Sequence, residues 1–338
     1  MKENIINSKW KTACLLCMIL TIFSIPAWGD ISLPPSPENE PTVVHVALVI
    51  LDVDEISDNN QNFTVNLFGR FRWMDPRLAH DGPGNISRKL EEVWNPRLLF
   101  LNIQRTWSYL PEVVEIKPNG EVLHRIHVWG NFSQPLNLRN YPFDRHLFKI
   151  PVVAPYATDK IIMRVDSETI PYIVEKLSVA DWDIRNFHGE SKELKLSSNY
   201  THNSVMYSFE GIRRTENIII KVIIPLILIV IMSWTVFWID PQQSGSQLAM
   251  SMTSVLTLIA YHIALGSKLP EIPYMTRLDV FVFGSTIIVF LSLIEVVITS
   301  RLSTSDSLNR ARKIDMICRW VFPIVFTLIA VYSFVLRS

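Results

Sequence analysis

Four apolar stretches crowd into the last third of the chain, at about 218–239, 243–267, 278–300 and 316–336. Each exceeds the roughly 20 residues an α-helix needs to cross the hydrocarbon of a bilayer. Pro225 falls inside the first, which a membrane helix tolerates. A short polar segment, 301–315, separates the third from the fourth, whereas the first three are joined tightly. These segments place residues 218–338 in a membrane and leave 30–217 as one block outside it.

Charge follows the same division. The whole chain carries 32 basic and 32 acidic residues, a formal net charge of zero, which gives no support to nucleic-acid binding. By region the zero is a cancellation: residues 30–217 sum to −5 and residues 218–338 to +3. The first 29 residues read as a cleaved export signal, with Lys9 and Lys11 ahead of an apolar run and Ala27-Trp28-Gly29 at its end. Export puts residues 30–217 outside, so four crossings return the C-terminus outside as well. Arg301, Arg310, Arg312 and Lys313 then lie in the cytoplasm, as the positive-inside rule prefers. Removal of the signal takes Cys14 and Cys17 with it and leaves Cys318 alone, so no disulfide framework or cysteine metal site is expected.

The exported block is strand-like. Val43 to Ile50 is a β-branched run, and Phe63 to Trp73 alternates with period two. Further runs at 113–117, 122–128, 146–153, 161–165, 181–188 and 205–212 are divided by turns such as Pro118-Asn119-Gly120. The expected fold is all-β, a sandwich of about ten strands, followed by a four-helix transmembrane bundle. No catalytic constellation stands out. The histidines lack paired metal spacing: His124 and His127 fall on opposite faces of a strand. There is no nucleophile elbow or phosphate loop. The chain is therefore not expected to be an enzyme, and neither metal nor cofactor is called for.

The second apolar stretch is the least greasy and carries its hydroxyls along its length. Steps of four and three put Ser246, Ala249, Thr253, Leu256, Ala260 and Ile263 on one face. Around an axis of several copies, the small and hydroxyl residues make a hydrated filter and the apolar ones a dewetting constriction. The same stripe also fits a close helix–helix seam.

Five motifs, in order, now acquire meaning together. They are Trp73-Met-Asp75-Pro-Arg77-Leu78, Trp94-Asn-Pro96, Tyr141-Pro-Phe-Asp144, Ser233-Trp234-Thr-Val-Phe-Trp238 and Leu269-Pro270-Glu-Ile-Pro273-Tyr274-Met-Thr276. With four spans behind them they resemble the pentameric ligand-gated ion channels, the Cys-loop receptor superfamily, over about residues 41–336. The cysteines that flank the Pro-Phe-Asp loop in that superfamily are absent and the third-to-fourth connection is short, as in its bacterial members. The resemblance implies a homopentamer in a bacterial inner membrane, with the N-terminal domain and the C-terminus in the periplasm. It assigns the pore to the six residues derived above, and coupling between sandwich and membrane to Asp58, Asp144 and Arg213, with the loop 52–58. Ligand-site candidates are Tyr156, Tyr200 and Tyr207, an aromatic set suited to an amine cation. The agonist is an unidentified small molecule or a change of pH, since histidines titrate near neutrality. Permeant monovalent cations are expected from the acidic outer domain, although no acid lies closer to the inner mouth than Asp240. A non-conducting periplasmic sensory module on a four-helix anchor is the competing expectation.

Overall fold

A computed structural model describes residues 33–35, 40–154, 160–195, 201–266, 272–304 and 307–336. The export signal, Cys14 and Cys17 lie outside these residues. So do Tyr156, Tyr200 and the segment around Leu269 and Pro270.

Among the described residues twelve strands form two sheets. The larger sheet is built on β1 (Thr42–Ser57), β2 (Asn62–Met74) and β7 (Glu121–Ser133), paired antiparallel in that order. β6 (Val113–Ile116) and β3 (Ile86–Lys89) extend one edge, β5 (Ile103–Ser108) also pairs with β7, and β9 (Ile161–Val165) and β10 (Tyr172–Ile173) run parallel to β1. The smaller sheet runs β11 (Trp182–Lys195), β12 (Thr201–Arg213), β8 (Arg145–Val153) and β4 (Leu99–Phe100). Two of the twelve strands, β4 and β10, hold two residues each, too short for sequence periodicity to register. β1 is longer than its apolar run. It continues through 52–57, so most of the segment expected as a loop is strand, with bulges after Ile50 and Val53.

The sheets meet through aromatic rings. Phe63 of β2 stacks on Phe132 of β7 at 5.4 Å and meets Phe148 of β8 edge-on at 5.1 Å; Phe148 in turn stacks on Phe209 of β12 at 5.0 Å. All four are buried, and rings at such separations add to the stability that their area alone provides. The Trp-x-Asp-x-Arg element is architectural. Asp75 caps a single 3-10 turn and holds Arg77 through bonds of 2.9 Å from both Nε and Nη2. Its carbonyl lies where a Cβ on Gly120 would come to 2.6 Å, and Gly120 has φ +85°, so this turn admits glycine alone without strain.

Four helices follow, each long and apolar enough to cross a membrane. We label them α1 (Glu216–Trp238), α2 (Ser244–Gly266), α3 (Arg277–Thr304) and α4 (Leu308–Val331), the last continuing as a π-turn through Leu336. α1 widens to a π-turn over Ile219–Ile223, just ahead of Pro225, which lacks an N–H and crowds the carbonyl one turn back. α4 begins at Leu308, well before Met316. The segment 301–315, expected as a polar connection, is thus mostly helix: its arginines and lysine are good helix formers that extend α3 and α4 past the apolar spans.

Candidate functional site

β12 ends at Arg213 and α1 begins at Glu216, so the last strand of the sandwich runs almost directly into the first membrane helix. Arg213 is the hub of that junction. Its Nε donates to Asp144 Oδ1 at 2.8 Å, and its Nη2 donates to Asp144 Oδ2 at 3.0 Å and to Asp58 Oδ1 at 2.7 Å. The side chains of Arg213, Asp144 and Asp58 are 7%, 2% and 17% exposed, so the network is screened from solvent. The guanidinium also lies 4.2 Å from the Trp182 ring centre and 4.8 Å from that of Tyr141, stacked between two π faces. The structure therefore brings Asp58, Asp144 and Arg213 together, from the β1–β2 turn, the loop before β8 and the end of β12.

Ionisation follows from this packing. Burial works against charge on Asp144, but hydrogen bonds from His146 and Arg213 outweigh it and hold the carboxyl below the usual range. Burial works against charge on Arg213 too, and the two carboxylates more than offset it, pushing its pKa up. Burial beside these charges raises the Tyr141 hydroxyl to about 12. The hub is thus a fully ionised arginine between two carboxylates, and one guanidinium bridging two acids couples the segments that carry them.

Three members of the hub were not anticipated. His146 Nε2 sits 2.7 Å from Asp144 Oδ2, Trp182 covers the guanidinium from β11, and Tyr141 covers it from the Pro-Phe-Asp loop. Tyr141 was visible in the motif itself. Trp182 carried no local signal, because only strand pairing puts it opposite Arg213. A second contact ties the sandwich to the bundle. The Tyr274 hydroxyl, ahead of α3, accepts from Leu138 N at 3.0 Å and donates to Leu136 O at 3.3 Å, and Leu278 N donates to Tyr141 O at 3.3 Å.

On α2 a narrow buried face opposes a broad exposed one. Gln247, Ser251, Ser254, Leu258 and Leu265 are buried against the rest of the bundle. Ser246, Ala249, Thr253, Leu256, Ala260 and Ile263 are all exposed, Leu256 at 67% and Ile263 at 75%. The stripe is therefore not a seam within its own bundle, where Ser251 and Ser254 take that part. Thr253 Oγ1 donates to Ala249 O at 2.9 Å, so its proton is satisfied within the helix.

The aromatic ligand candidates divide differently. Tyr156 and Tyr200 lie outside the described residues. Tyr207 corrects the sequence expectation: it is fully buried between the sheets, and its hydroxyl donates to Val46 O at 2.7 Å. It shares the inward face of β12 with Val205 and Phe209, so it is a core residue and offers no ring to a ligand. Exposed rings do occur on the larger sheet, where Trp107 lies 4.5 Å from Trp129 and Tyr109 lies 5.0 Å from His127. Among the described residues no group of three or more His, Cys, Asp or Glu side chains forms a metal-binding cluster.

Comparison with known proteins matches this architecture in both halves. The profile of the neurotransmitter-gated ion-channel ligand binding domain matches residues 30–225, and that of the neurotransmitter-gated ion-channel transmembrane region matches residues 222–308. The chain is similar to a proton-gated ion channel of Gloeobacter violaceus, 27% identical over 97% of this chain and 94% of that one. It is also similar to the gamma-aminobutyric acid receptor subunit beta-4 of Gallus gallus, 28% identical over 79% of this chain and 56% of that subunit.

Proposed function

Because the chain belongs to the neurotransmitter-gated ion-channel family, we propose that it assembles as five identical subunits whose α2 helices ring an ion pathway. The observation that carries this reading is the orientation of α2: its six-residue stripe turns away from its own bundle while Gln247, Ser251 and Ser254 turn in. Thr253 with Ser246 and Ala249 makes the hydrated part of the pathway, and Leu256 with Ile263 the apolar constriction. The sandwich receives the stimulus at the outer face of a bacterial inner membrane, as a small ligand or a change of pH. Arg213, held by Asp144 and Asp58, passes sandwich motion to α1. The likeness to a proton-gated channel supports pH as one stimulus.

Selectivity for cations rests on the field of the outer domain. Asp240, the acid closest to the inner end of α2, is engaged by Arg312 at 3.0 Å, which removes it as a free acidic ring. The −5 of residues 30–217 repeats five times around the entrance and concentrates cations there. Recording purified protein in planar bilayers under a KCl gradient tests the whole reading. Stimulated single-channel steps with a cation-side reversal potential are expected. Protein that folds and assembles but passes no current under acid or alkaline stimulus is instead a sensory module on a membrane anchor.

A further inference from the structure

At the end of the bundle remote from the sandwich lies a polar cluster that the ion pathway does not use. Glu295 on α3, Asp315 on α4 and Gln247 on α2 are 8%, 1% and 0% exposed. Gln247 Nε2 donates to Ile239 O at 3.0 Å, Val236 O at 3.4 Å and Asp315 Oδ2 at 3.3 Å. The amide thus ties the exit of α1 to α2 and α4. Glu295 lies close enough to Asp315 for the two carboxyl groups to act on each other's charge. Among the described residues, no donor reaches either Glu295 oxygen, Asp315 Oδ1 or Gln247 Oε1.

Acceptor thus meets acceptor in the interior of a membrane bundle, where buried polar atoms are almost always paired and an unpaired charge costs several kcal/mol. The surrounding charges do not complete the cluster. Arg319 of α4 is a cation that acts on Asp315, but its Nε donates to Phe237 O at 2.8 Å and its guanidinium lies 5.5 Å over the Trp238 ring. Arg312 is paired with Asp240, whose own charge faces Asp315 from the α1–α2 connection, and the Cys318 thiol adds no positive charge. Two carboxyls against one arginine leave the cluster one positive charge short. The fully buried Gln247, with its amide against Asp315 and its carbonyl oxygen without a donor, adds a neutral ligand of the type that small cations use.

We infer that Glu295, Asp315 and Gln247 form a cation-binding site between α2, α3 and α4, filled by a single positive charge, either a proton or a small desolvated metal ion. Gln247 is the next residue after Ser246, so occupancy is felt at the foot of α2. That consequence rests on the proposed ion pathway; the site itself does not.

Infrared spectroscopy of the full chain in lipid vesicles decides the matter. A bound proton gives a carboxylic acid C=O band that shifts on transfer to deuterated water. A bound metal gives carboxylate bands and a thermal midpoint that change when small cations are replaced by N-methylglucamine with EDTA. One of these signatures is expected in the wild type, and its loss is expected in Glu295→Gln and in Asp315→Asn. Each variant nearly keeps the shape of the side chain and brings its own amide donor, so assembly is retained; the wild-type spectrum decides even if it is not. A wild type showing neither signature, or variants that both keep it, overturns the site. Since no current is needed, a chain that shows the signature but never conducts overturns the ion pathway and leaves this site standing.

Discussion

Arg213 holds Asp144 through two parallel bonds, Nε to Oδ1 at 2.8 Å and Nη2 to Oδ2 at 3.0 Å, at the point where the sandwich becomes the membrane domain. A bidentate pair fixes orientation as well as distance, so the end of β12 cannot rotate without carrying the loop before β8 with it. Substitution of either partner leaves the other charged and buried.

Arg213→Gln is accordingly expected to destabilise the outer domain by about 3–5 kcal/mol, the usual cost of breaking a buried pair. Asp58→Asn, at the more open end of the network, is expected to cost less, about 1 kcal/mol or below. Chemical unfolding of the two variants checks the order. Equal costs would mean that Asp58 holds Arg213 as firmly as Asp144 does.

Acid is expected to act on the sandwich in two steps. Burial, reinforced in His45 by Arg72, holds His45 and His124 below 6.5. Unfolding therefore lets these rings bind protons that the folded state refuses, so stability present above pH 6.5 is lost as pH falls from there. Asp144 and Asp166 are held below 3.8, so their contribution persists until pH falls through that lower range. Thermal midpoints across pH, with His124→Phe flattening the first step, check this. The substitution keeps an aromatic ring beside Phe71, now 5.9 Å away.

Tyr207→Phe removes one hydroxyl and is expected to cost about 1 kcal/mol, the net value of a hydrogen bond. Val46 O keeps a partner, because Asp166 N also donates to it at 2.8 Å. The response to any ligand is expected to remain unchanged. A change in the concentration needed for activation, with stability intact, would return Tyr207 to the ligand site.

Leu256→Ala is expected to leave protomer stability nearly unchanged, since the side chain is exposed on its own bundle. If the proposed ion pathway holds, it widens the apolar ring, and activation is expected to shift to weaker stimuli by roughly tenfold, about 1.4 kcal/mol in gating. Bilayer recordings with a matched unfolding assay separate the two effects. Unaltered gating in a conducting channel refutes the assignment of this face.

The parts of the molecule legible in sequence were those with a period. Steps of four and three along 246–263 picked out a face that the fold turns outward, and alternation along 63–73 marked a strand with one buried side. Alternation also held the answer for Tyr207, which keeps step with Val205 and Phe209 inside the 205–212 run; its place among the ligand candidates came from the resemblance and not from that pattern. Two things had no local signature. Trp182 joins the Arg213 hub through strand pairing alone, and the start of α4 is masked because Arg310, Arg312 and Lys313 look like a connection while favouring helix.

The sandwich and the bundle share a seam of several contacts. β12 passes covalently from Arg213 into α1 at Glu216, the Tyr274 hydroxyl is seated between Leu136 and Leu138, Leu278 N donates to Tyr141 O at 3.3 Å, and Phe143 meets Phe334 edge-on at 5.8 Å. Sliding one part over the other breaks these contacts together, so the seam favours tilting over translation.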